Sequence, residues 1–224
     1  MGQYRLNLKA IEQSLRGVQQ EFPKINELLR SRRDSMTDEV IANMLAGYAL
    51  VDQALADDLD VLTFRHASHL LEFNHTVLCG LDPRAREEAR KHIEATEQRF
   101  YGQEEYNIED ILQWYCRHAD ESPWKRAAGV YVRLLSRPQL FYEGNHRTGA
   151  LVMSYILVRA GSPPFVLSID NARAYFDPST LVKETTKSAV SLLMKLPRLK
   201  KRFARFLEEQ AHEHHLLSVA MPGR

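Results

Sequence analysis

Helix-start signals recur along this chain while runs of alternating β-branched residues are few, and this contrast constrains its fold more than any other feature. Thr37 and Asp38 precede Val40, Ile41, Met44, Leu45, Tyr48, Val51 and Leu55, whose three- and four-residue spacing draws one apolar stripe along a helix. Asp82-Pro83 and Ser122-Pro123 each place a capping side chain before a proline at the first helical position, where the missing N–H costs nothing. Asn107 is positioned to cap IEDILQWYCRH, and Pro23 is expected to open a short segment, INELLRSRR. Arg137-Pro138 should end the helix WKRAAGVYVRLLS, because proline biases the preceding residue away from helical angles. A further helix is expected from about Asn145 to Ala160, stopped by Gly161 and Pro163-Pro164. The charged stretch RAREEARKHIEATEQRF reads as one helix, and Pro178 and Pro197 as breaks between shorter ones. FVLSI, residues 165–169, is the single plausible strand and reads equally well as extended chain. Together with ten glycines in 224 residues, these signals predict an all-α chain.

Composition narrows the function classes. Hydrophobic residues at 44% and charged residues at 26% belong to a globular protein. A formal charge of +1 predicts no strong field for DNA or a membrane surface. No apolar run approaches the roughly 18 residues of a membrane span, MGQYRLNLKAIEQ lacks a signal-peptide core, and two cysteines cannot build a disulfide framework, so a cytoplasmic protein is expected. The basic runs RSRRD (30–34) and KLPRLKKRFAR (195–205) read as solvated helix faces rather than nucleic-acid contacts. His212, Glu213, His214 and His215 lack the spacing of a zinc helix and read as a solvated terminal helix. Trp114, Tyr115, Trp124 and Tyr131 are expected to pack in the core, and Cys79 and Cys116 to be small buried hydrophobes.

The chemistry concentrates in "RPQLFYEGNHRTGA", residues 137–150, where a loop becomes a helix N-terminus. Free N–H groups and the positive end of the helix dipole favour an anion there. Gly144 and Asn145 both tolerate unusual backbone angles, which lets successive N–H groups converge as a nest. Arg147 adds a fork of donors matched to phosphate, and Glu143 beside a bound polyphosphate would hold Mg2+ through one carboxylate oxygen.

This stretch resembles the signature of the Fic (Fic/Doc, or Fido) family, HxFx(D/E)GNGRxxR, which lies in a loop and following helix of an all-helical core. Here it reads QxFxEGNHRxxA, with Gln139, Phe141, Glu143, Gly144, Asn145, His146, Arg147 and Ala150 in the aligned places. The likeness spans roughly residues 60–195, which implies a Fic-like core. Residues 1–59 would then form an N-terminal helical layer packed on it, and 196–224 a C-terminal helix and tail.

The resemblance implies a protein that handles ATP or another nucleotide with Mg2+ and acts on a hydroxyl of a target protein. The family's base is the histidine at the first motif position, where this chain has Gln139, an amide with no useful basicity. His146 replaces a glycine that lets phosphates approach, and as a cation it would add an anion donor. Ala150 replaces a second arginine that holds terminal phosphates. The Doc branch, a protein kinase, likewise has a bulky basic residue at the position of His146 and lacks the second arginine, but keeps the histidine base. The expected function is a nucleotide- or anion-binding regulatory module, with Gly144, Asn145, His146 and Arg147 on the phosphate and Glu143 on the metal. The alternative is an active transferase moving AMP or another phosphate-containing group. Ser35–Glu39 and Ser68–Glu72 fit the first part of the family's inhibitory motif, but Val40 and Phe73 follow and Ala150 removes the partner, so no inhibitory helix is assigned. The target-docking flap is expected near Tyr101–Tyr106. The sequence names neither the oligomeric state nor a partner.

Overall fold

In the computed structural model, which describes residues 3–102 and 105–219, one helix is enclosed on all sides, and the others are arranged around it. This helix, α8, runs from Asn145 to Arg159, and every residue from Thr148 to Val158 is buried. A helix apolar around its whole circumference must be covered around its whole circumference.

The elements run β1 (Gln3–Leu6), α1 (Leu8–Leu28), α2 (Asp38–Ala56), α3 (Ser68–Cys79), α4 (Pro83–Glu88), α5 (Arg90–Phe100), α6 (Ile108–Arg117) and α7 (Pro123–Leu135), then α8, α9 (Ala172–Glu184), α10 (Leu196–Glu209) and β2 (Leu216–Val219). The all-α class holds, with α2, α3 and α7 against α8 and α10 against α7. Residues from Leu6 to Leu207 contribute to the main core, while Val18, Phe22, Ile25, Leu29 and Ala172 form a smaller cluster between α1 and α9. Among the described residues no helix is long and apolar enough to cross a membrane.

The capping residues act as their types dictate. Thr37 accepts from the Val40 N–H at 3.2 Å, Asp82 from Arg84 at 2.9 Å, Asn107 from Glu109 at 2.8 Å and Ser122 from Lys125 at 3.5 Å. Trp114 and Tyr131 are buried.

Several expectations fail where packing outweighs local preference. Pro23 does not open a helix: α1 begins at Leu8, capped by the Asn7 side chain, which accepts from the Ala10 N–H, and runs through the proline. Its buried stripe of Ile11, Leu15, Val18, Phe22 and Ile25 continues across the missing hydrogen bond, so burial on both sides offsets the local cost. Pro178 is likewise inside α9. The charged helix after Pro83 divides at Ala89, whose φ of −87° and ψ of 4° separate α4 from α5. FVLSI joins no sheet; the Phe165 carbonyl instead accepts hydroxyl hydrogen bonds from Tyr48 (2.9 Å) and Ser154 (2.7 Å).

The sheet lies elsewhere, with β1 and β2 pairing antiparallel in the register Leu6 to Leu216. Asp52 of α2 fixes β1 by accepting from Arg5 Nε and the Leu6 N–H, both at 2.8 Å, and from Arg5 Nη2. The histidine tail is therefore no solvated helix. His215 is 1% exposed in a 3₁₀ turn, its carbonyl accepting from the Asn7 N–H at 2.9 Å, and burial beside His214 and His212 pushes its pKa down to about 4. Cys116 is exposed and Cys79 half-buried, so neither is the fully buried thiol expected. Residues 220–224 of the expected C-terminal tail lie outside the described residues.

Where α6 crosses α7, a Cβ on Gly129 would stand 1.9 Å from Cη2 of Trp114. That indole is itself bracketed by Arg133, 4.1 Å from its ring centre, and Lys200, 5.3 Å away. Gly129→Ala must displace it and is expected to cost about 1–3 kcal/mol. A Cβ on Gly17 would meet only Ile169 at 3.6 Å, so Gly17→Ala should be neutral or stabilising. Denaturant unfolding of the two variants checks the contrast.

Candidate functional site

Between α7 and α8 the chain forms a loop, and contacts from several elements hold its backbone. The Lys187 N–H donates to the Arg137 carbonyl at 2.7 Å, and the Arg137 N–H to the Thr185 carbonyl at 2.8 Å. Lys187 Nζ donates to the Pro138 carbonyl, and Arg99 to the Gln139 carbonyl through Nε (2.9 Å) and Nη2 (2.6 Å). Burial, with Arg99 and Arg133 nearby, pushes the Lys187 ammonium down to about 7. Phe141 is buried and stacks on Phe100 with ring centres 5.7 Å apart. The Asn145 amide clasps the loop by accepting from the Phe141 N–H (3.1 Å) and donating to the Phe141 carbonyl (2.8 Å). Asn74 of α3 donates to the Glu143 carbonyl at 2.9 Å and the Thr148 hydroxyl at 3.0 Å.

These anchors deliver Gly144 to the start of α8 with φ +70° and ψ 3°. A side chain there is excluded twice, by the left-handed backbone and by Asn74 Nδ2, 2.9 Å from where a Cβ would stand. No side chain caps α8. The Thr148 N–H closes the first turn onto the Gly144 carbonyl at 2.9 Å, while the N–H groups of Asn145, His146 and Arg147 have no acceptor among the described residues. Such orphan donors at the positive end of a helix attract an anion.

The expected site residues divide in role. Gly144 takes the left-handed conformation and Asn145 does not; its side chain holds the loop closed rather than facing outward. Arg147 donates through Nη1 to the Val77 carbonyl, and burial lowers its pKa. The exposed Glu143 side chain makes no hydrogen bond or ion pair among the described residues. Gln139 Nε2 donates at 3.0 Å to the Leu135 carbonyl, so the side chain at the base position is drawn back onto the end of α7.

His146 differs most from its sequence reading. Arg33 Nη1 lies 3.2 Å from His146 Nε2, and the guanidinium can only donate, so Nε2 accepts and the proton sits on Nδ1. Nδ1 then donates to the Tyr131 hydroxyl (3.1 Å), Tyr131 donates to the Tyr175 hydroxyl (3.1 Å), and Tyr175 donates to the His146 carbonyl (3.1 Å). Arg33 can donate to Nε2 only while the imidazole is neutral, and the ring fixes the remaining proton on Nδ1. Burial, with the charges of Arg33 and Lys183, pushes the His146 pKa down to about 3. His146 is thus a neutral bracket rather than the cationic anion donor expected.

Sequence reasoning missed Arg33, Tyr131, Tyr175 and Asn74. Arg33 lay in a basic run read as solvated, yet its Nη2 also donates to the Thr180 hydroxyl at 2.8 Å and the Phe176 carbonyl at 3.3 Å. No local signal marks such residues, because their partners lie 15 to 147 positions away. Of the expected flap, Gln103 and Glu104 lie outside the described residues; Tyr101 is exposed and Tyr106 has φ +69°. Among the described residues no group of three His, Cys, Asp or Glu side chains is placed to hold a metal ion.

No protein-family model and no curated protein matches the chain. Among solved structures, it is similar to the crystal structure of a Fic domain containing signaling protein from Bacteroides thetaiotaomicron VPI-5482, with 19% identity and a TM-score of 0.46 over 88% of this chain and 81% of that one.

Because the folded His146 pKa lies below the ordinary 6.5, the unfolded chain binds a proton that the native chain refuses. The contribution is fully present above pH 6.5 and is lost as pH falls from there toward 3. The His146 imidazole should keep the Nδ1–H tautomer from pH 8 to pH 5 in long-range ¹H–¹⁵N spectra. Titration near 6.5 would contradict the network.

Proposed function

We propose that this chain is a Fic-type protein that binds a phosphate-bearing ligand, such as a nucleotide, at residues 143–147 without the usual AMP transfer. The observation that carries the reading is the uncapped start of α8: Gly144 in the left-handed conformation, followed by three N–H groups without acceptors among the described residues and by Arg147. Gly144, Asn145 and Arg147 support it, because they match the positions through which the family it resembles holds phosphate.

Glu143 fits a magnesium site only in part. One exposed carboxylate suits an ion that takes its other ligands from water and substrate phosphates, and Mg2+ there would neutralise charge between the carboxylate and the phosphate. The reading as a binder rather than a transferase rests on Gln139, whose amide lacks basicity and is engaged by Leu135.

Isothermal titration of the full chain with ATP, ADP and inorganic phosphate in Mg2+ should show saturable binding. Arg147→Ala should weaken it roughly ten- to hundredfold, the size of a lost charge-assisted hydrogen bond. Absence of binding to all three overturns the proposal. Incubation with labelled nucleotides and lysate should leave no labelled protein; label that depends on Glu143 and Arg147 would establish the transferase instead.

A further inference from the structure

Behind the first turn of α8 lies a cavity of about 230 Å³, bounded by residues of α1, α2, α8 and α9 and by the segments 33–36 and 165–167. Its interior is apolar: Leu15, Phe22, Met44, Tyr48 and Phe165 are all buried and line it. The one buried hydroxyl among these, on Tyr48, is already engaged by the Phe165 carbonyl. A space of this size equals roughly eight water molecules, and walls of this kind give water few partners.

The charged lining is confined to three residues. Arg33 and Arg147 bring two positive charges and the exposed Asp34 one negative, while His146, also on the wall, is neutral. Both guanidiniums retain donor capacity. Among the described residues, Arg33 Nε is buried without a hydrogen-bond partner, and Arg147 makes one hydrogen bond, to Val77. The cavity is thus apolar over most of its wall and cationic in one region. That combination matches a ligand with an apolar body and an oxyanion head, which would give the two arginines an acceptor while filling the space with carbon.

The geometry points to this cavity as a binding site for a small amphiphilic anion, a carboxylate or phosphate monoester carrying an apolar body about the size of one substituted ring. The inference rests on the proposed phosphate reading in one respect, that Arg147 serves both places; a phosphate on the orphan N–H groups would be followed by an apolar group in the cavity.

Titration calorimetry of the full chain with inorganic phosphate, phenyl phosphate, phenylacetate and benzyl alcohol separates the possibilities. Burying a phenyl group should make phenyl phosphate at least roughly tenfold tighter than inorganic phosphate. Benzyl alcohol, lacking the anion, should bind at least roughly tenfold more weakly than phenylacetate. Val40→Trp, at the half-buried edge, and Ala150→Phe, on the wall, should each abolish the phenyl-dependent gain and leave inorganic phosphate binding unchanged. The two variants are paired to separate loss of the cavity from disturbed packing, and each is checked for native circular dichroism and melting temperature. Equal binding of phosphate and phenyl phosphate overturns the cavity inference and leaves the phosphate reading standing. Phenylacetate binding that Val40→Trp abolishes, with no binding of inorganic phosphate, ATP or ADP, upholds the cavity and overturns the phosphate reading. Equal binding of phenylacetate and benzyl alcohol overturns the assignment of an anionic head, and no binding of any of the four probes, ATP or ADP overturns both.

Discussion

The burial of α8 around its whole circumference is the constraint on which the rest of the structure depends. Helices on every side are needed to satisfy it, and α2, α3 and α7 supply much of that cover. A helix so enclosed cannot tilt or slide without opening voids, so its N-terminus is held in place by the core itself. The loop before it inherits that rigidity. Asn145 grips the Phe141 backbone from inside the first turn, and Asn74 reaches across from α3 to the same turn.

Within that rigid frame the first turn of α8 has no side-chain cap, as is also true of α3, α5, α9 and α10, but here a left-handed glycine precedes it. At α2, α4, α6 and α7, Thr37, Asp82, Asn107 and Ser122 supply side-chain acceptors to the helix starts. The most deeply buried helix receives none, and a left-handed glycine takes the capping position instead. Leaving strong donors without partners is unfavourable for folding, and proteins tolerate it where a ligand or water supplies the acceptor. Next to it, the cycle of His146, Tyr131 and Tyr175, with Arg33 donating into it, is closed among its own members. That cycle locks the tautomer of His146 and joins α7, α8 and α9 to the segment after α1.

How much of this was legible depends on the range over which each feature is decided. Helix starts were readable because a cap and its N–H groups lie within three residues of each other. The prolines misled for the opposite reason: Pro23 and Pro178 look like breaks locally, but the apolar stripe of α1 and the buried face of α9 continue past them. The terminal sheet was invisible, since β1 and β2 are brought together from opposite ends of the chain and fixed by Asp52. His215 was misread with them, its burial being a consequence of that closure.

By itself, the sequence determined the all-helical class, the loop-to-helix junction at residues 139–147, and the absence of a basic group at Gln139, because propensity, capping and side-chain chemistry are properties of neighbouring residues. Only the tertiary structure decided that Asn145 serves the loop rather than the solvent, that His146 is neutral, and that Arg33 leaves a basic run to line an apolar cavity. Those outcomes depend on desolvation and on partners far away in the chain, and both exist only once the helices have packed.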